Sequence, residues 1–91
     1  MIHRANLLLE LDFVGLNHGR LYFWTRADCI GWSECCALGR RRAEQAIAFM
    51  KKYDDPLLLA KIADARSAKG IRDAVQIGYA QRIAEFILTG R

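Results

Sequence analysis

One proline, two histidines and three cysteines are all that this 91-residue chain holds of the residue types that most often punctuate or chemically mark a sequence. With Pro56 alone, a Pro-rich linker or polyproline segment is excluded. His3 and His18 lie apart from Cys29, Cys35 and Cys36, and the C-x5-C-C spacing matches no pattern in which two close ligand pairs surround a zinc ion. No metal or cofactor is therefore expected. The odd number of cysteines, two of them adjacent, argues against a disulfide framework, and buried or half-buried free thiols are the expectation.

Long hydrophobic runs are also missing. Glu10 and Asp12 interrupt the apolar segment from Met1 to Leu16, and no later stretch approaches the roughly 18 residues of a membrane span. A cytoplasmic protein with no membrane partner is expected. The chain has no glycine-rich phosphate loop, no H-E-x-x-H or G-x-S-x-G element, and no close carboxylate pair except Asp54-Asp55, which helix capping explains. A nucleophile built from Cys35 or Cys36 with His18 would need the fold to bring them together. The expectation is a non-enzymatic protein with no small-molecule substrate.

What is present is enough to fold. Hydrophobic residues make up 53% of the chain and charged residues 26%, which offsets chain entropy by burial and excludes disorder over most of the length. A chain of this size buries about 60–65% of its unfolded surface, so residues 1–91 read as one domain. The net charge of +4 is concentrated late, with six basic against three acidic groups in residues 61–91.

The expected fold class is α+β and mainly helical. Leu7 to Val14 alternates like a half-buried strand, and residues 20–25 are aromatic-rich. Between them, Gly15 to Gly19 supplies turn residues, so a hairpin of strands at about 7–14 and 20–25 is expected. The alternative is an all-α bundle with a helix from Arg4 to about Leu16. Helices are expected at about 33–53, 56–68 and 71–89, with Ser33 capping the first, Asp55-Pro56 opening the second and Gly70 closing it. The first two are expected as antiparallel neighbours. The last helix carries two apolar stripes, one through Ile71, Val75, Tyr79, Ile83 and Phe86 and another through Ala74, Ile77, Ala84 and Leu88. A helix apolar on two sides is either central to its own core or shared with a partner.

These features favour a small protein-interaction module, with a protein partner or self-association through Tyr22, Trp24, Ile77 and Leu88. The basic residues Arg40, Arg41, Lys51 and Lys52 would steer it toward an acidic or nucleic-acid-binding target. The alternative is a DNA- or RNA-binding regulator whose helix-turn-helix-like C-terminal half presents Arg66, Lys69, Arg72 and Gln76. In type, though not in sequence, the profile resembles small accessory proteins of phages and other mobile elements, including inhibitors of host nucleases. That resemblance implies steric occlusion of a partner by a preformed surface.

Overall fold

The computed structural model describes residues 7–69 and 73–91, with 68 and 69 described by their backbone alone. The expected Ile71 and Gly70 positions lie outside the described residues. The architecture is a two-stranded antiparallel hairpin followed by three helices, which matches the α+β, mainly helical class. The hairpin is shorter and later than the periodicity suggests. Strand β1 is Gly15–Asn17 and β2 is Arg20–Tyr22, in the register Gly15↔Tyr22, Leu16↔Leu21 and Asn17↔Arg20. His18 and Gly19 both have positive φ, at 51° and 77°. That is the requirement of the two-residue turn whose twist suits a hairpin.

Residues 7–14 are not a strand, and beyond Leu8 they are not a helix either. Three successive tight backbone bonds run from Glu10 N to Leu7 O, Leu11 N to Leu8 O and Val14 N to Leu11 O, each 3.1 Å. The buried residues are Leu8, Leu11, Phe13 and Val14. The alternation misleads because apolar residues stand at both parities, Leu8 and Val14 as well as Leu11 and Phe13, so the pattern fits turns as well as a strand. Asp12 clasps Gln45 reciprocally, its N–H donating to Oε1 at 3.0 Å and its Oδ2 accepting from Nε2 at 2.8 Å.

Helix α1 spans Trp32–Tyr53, α2 Leu57–Lys69 and α3 Ala74–Thr89. Ser33 is inside α1, which starts after Gly31 at φ 87° without a side-chain cap. Asp73 does cap α3, accepting from the N–H of Gln76 at 2.9 Å, and this sets the helix start later than 71. Only one of the three cysteines is the free thiol that the odd count leads one to expect of all of them. Cys29 and Cys35 form a disulfide with their Cα atoms 5.4 Å apart, because the turn at Gly31 brings the chain before α1 beside its first turn. Cys36 keeps a free, half-buried thiol.

The closest helix pair is α1 with α3, rather than α1 with α2. Gly39 and Gly78 make this contact, since a Cβ on Gly39 would collide with Val75 O and lie 2.7 Å from Tyr79 N, and one on Gly78 would collide with Cys36 O. Around this crossing, Ala43, Ala46 and Phe49 of α1 and Val75 and Tyr79 of α3 join Leu58 and Ile62 of α2, Trp24, and the N-terminal Leu8, Leu11, Phe13 and Val14 in one core.

Candidate interaction surface

Helix α3 has two different sides. Its inner side carries Val75 and Tyr79 into the core and has Ile83 and Phe86 half-buried behind them. Its outer side carries Ile77, half-buried, then Ala80, Ala84, Ile87 and Leu88, all exposed. Ile87 is 69% exposed and Leu88 84%. The helical repeat places residues 77, 80, 84, 87 and 88 in one band. The glycine contact fixes which side faces inward, so this apolar band is left to solvent.

A polar seam borders the inner side. Arg40 donates to both carboxylate oxygens of Glu85, at 2.8 and 3.2 Å, and Arg82 lies 3.6 Å from Glu44 and 4.0 Å from Glu85. The hydrogen bond holds the Glu85 carboxyl below its ordinary pKa and the Arg40 guanidinium above its own. Lys51 reaches over the Phe86 ring at 5.3 Å. Of the four expected steering residues, Arg40 and Lys51 thus join α1 to α3. Arg41 and Lys52 are exposed, Lys52 with its ammonium 5.0 Å from the Tyr53 ring.

The aromatics divide otherwise than strand alternation suggests. Trp24, expected at a partner surface, is 5% exposed and belongs to the core. It stands 5.7 Å from Phe13 and edge-on to Tyr79 at 5.0 Å, with the Arg42 guanidinium 4.7 Å from its ring. Strand β2 ends at Tyr22, so the alternation does not extend to Trp24. Tyr22 stays exposed. Ile30 and Trp32, 87% and 64% exposed, flank Gly31 inside the loop that the disulfide closes.

Of the four nucleic-acid candidates, Arg66 and Gln76 have described side chains, and they line one recess between α2 and α3. Gln76 is buried. Arg66 lies half-buried with its guanidinium 4.7 Å from the Tyr79 ring and 5.6 Å from Trp24, and Nη2 donates to Gln76 O at 3.3 Å. The side chain of Lys69 and all of Arg72 lie outside the described residues. Burial lowers the pKa of Arg42, whose Nη1 donates to Thr25 O at 2.9 Å, and pushes that of Tyr79 up to about 12 against the opposing effect of Arg66.

Sequence reasoning marked Leu88 and Ile77 but missed Ile87, the Arg40–Glu85 pair and the glycine contact. Gly39 and Gly78 are isolated glycines inside helical patterns, and such a residue often marks close packing. No protein-family model, curated protein or solved structure matches the chain.

Proposed function

We propose that the protein is a non-enzymatic interaction module and that the outer side of α3 is its contact surface. The observation that supports this most directly is the exposure of Ile87 and Leu88 on a helix whose opposite side is pinned to α1 through Gly39 and Gly78. Exposed apolar residues grouped on one rigid element are a common mark of protein–protein contact. Such a module acts by occupying a partner's surface, with no chemistry of its own, as a steric inhibitor or accessory protein does. The exposed Ile30 and Trp32 beside the disulfide form a second apolar point on the same chain.

The test is comparative capture with wild-type and Leu88→Glu bait. A partner retained by wild type and lost by the variant, with the helical circular dichroism of both unchanged, supports the reading. Equal capture by both baits removes the outer side of α3 from the interface. Salt-dependent binding of labelled duplex or single-stranded nucleic acid, unaffected by Leu88→Glu, would select the nucleic-acid alternative.

A further inference from the structure

The chemistry of the partner can be read from the recess beside this apolar band, an inference that rests on the outer side of α3 being the contact surface. Arg66 of α2 and Gln76, Ile77, Ala80 and Gln81 of α3 line a recess of about 360 Å³. Among the described residues no carboxylate pairs with Arg66. Among the described residues its guanidinium makes one hydrogen bond, from Nη2 to Gln76 O, and its buried Nε finds no acceptor. The rings of Tyr79 and Trp24 hold it in place but carry no full negative charge. A half-buried cation left with neutral neighbours is costly, and a carboxylate satisfies it best because two parallel N–H···O bonds form at once.

A second recess, of about 260 Å³, also contains arginines: Arg26, Arg41 and Arg42. It differs in holding Asp12 and Asp28 as well, so its cations already sit among acids. Among the described residues the Arg66 recess has no acid in its lining, and Ile77 and Ala80, the first two members of the apolar band, form part of it.

We propose that this recess and the band running on to Leu88 receive an amphipathic helix of a partner protein, one that presents an aspartate or glutamate to Arg66 from among its apolar residues. From Ile77 to Leu88 the band is about 16 Å long at 1.5 Å per residue, which three turns of a partner helix would cover. Ala80 and Ala84 keep the middle of the band low, so that a second helix can approach closely. The net charge of +4 favours an acidic partner at longer range.

The experiment is selection from a displayed library of 15-residue helical peptides, with leucine fixed at apolar positions and the flanking positions randomised, against the full chain. The selected peptides are expected to carry Asp or Glu beside the leucines. Changing that acid to its amide should weaken binding about tenfold on wild type and leave binding to Arg66→Met unchanged, which a structural role for Arg66 would not produce. Arg66→Lys should recover part of the loss. If Arg66→Met fails to fold, Gln81→Glu sets a competing carboxylate at the rim and should reject the same peptides.

Selected peptides without acids, or an acid-to-amide loss that is equal on wild type and Arg66→Met, would overturn the carboxylate assignment. With binding still abolished by Leu88→Glu, the contact-surface reading would then survive. Failure to select any peptide, or peptides indifferent to Leu88→Glu, would overturn both. Nucleic acid that displaces the peptides and depends on Arg66 would reassign the recess to phosphate.

Discussion

Gly39 and Gly78 lie on opposite helices at a single crossing, each against the backbone of the other's helix: Gly39 meets Val75 and Tyr79, and Gly78 meets Cys36. Neither neighbour is a flexible side chain that can swing away. Alanine at either position must therefore push α1 from α3 and disturb Trp24, Tyr79 and the Arg40–Glu85 pair together. Overpacking ordinarily costs about 1–3 kcal/mol, and a clash with backbone belongs at the upper end or beyond. Urea denaturation of Gly39→Ala and Gly78→Ala should show a loss of about 3 kcal/mol or more. An unchanged midpoint in both would mean that the helices do not approach this closely.

The crossing also explains what the sequence made legible. The amphipathic pattern of α1 was readable because most of its charged residues stand off its apolar side, with Ala43 and Ala46 buried and Arg41, Glu44, Lys51 and Lys52 exposed, and Arg42 the buried exception. The double apolar character of α3 was readable for the same reason. Which stripe turns inward was not, because it depends on a glycine contact between residues 39 positions apart in sequence. The segment 7–14 misled because apolar residues at both parities fit a strand, a helix or a coil of turns. The Cys29–Cys35 bridge depends on a turn at Gly31 that residue spacing does not specify.

Trp24 and Tyr22 should respond oppositely to truncation. Trp24 is buried against Phe13 and Tyr79, so Trp24→Ala is expected to cost about 3–5 kcal/mol. Tyr22 is exposed at the end of β2, and Tyr22→Ala should fall within about 0.5–1 kcal/mol of wild type. Thermal or urea unfolding of the two variants checks the assignment, and similar losses would contradict it.

The cysteines give a direct chemical readout. Under non-reducing denaturing conditions one thiol should react, that of Cys36, while reduction should expose three. Replacing Cys29 and Cys35 by serine opens a short loop and should lower stability by about 2 kcal/mol on the chain-entropy account. Three reactive thiols without reductant would show that the bridge does not form under the conditions used.

Tyr79 makes stability fall at alkaline pH. Its folded pKa is pushed up to about 12 by burial, whereas an unfolded tyrosine ionises near 10. The folded protein therefore holds a proton that the unfolded chain releases. The contribution is complete below pH 10 and disappears as pH rises from about 10 to 12, a loss of roughly 2 kcal/mol. Ultraviolet titration of the phenolate should show one tyrosine ionising late, and Tyr79→Phe should remove both that late step and its share of the alkaline destabilisation. Persistence of the late step in Tyr79→Phe would assign it to another residue.

The outer side of α3 should separate folding from association. Leu88 is 84% exposed and touches little of its own chain, so Leu88→Gln is expected to change unfolding free energy by no more than about 0.5 kcal/mol. Ile77, half-buried at the edge of the Arg66 recess, should lose about 1–2 kcal/mol as Ile77→Gln because part of its apolar area already leaves water on folding. Sedimentation across a wide concentration range then distinguishes two occupants of the band. A mass that grows with concentration in wild type and stays at one chain in Leu88→Gln would mean that a second copy covers it. A constant single-chain mass in both leaves the band free for a different protein, and an acidic helix is then the chemistry that Arg66 would complement.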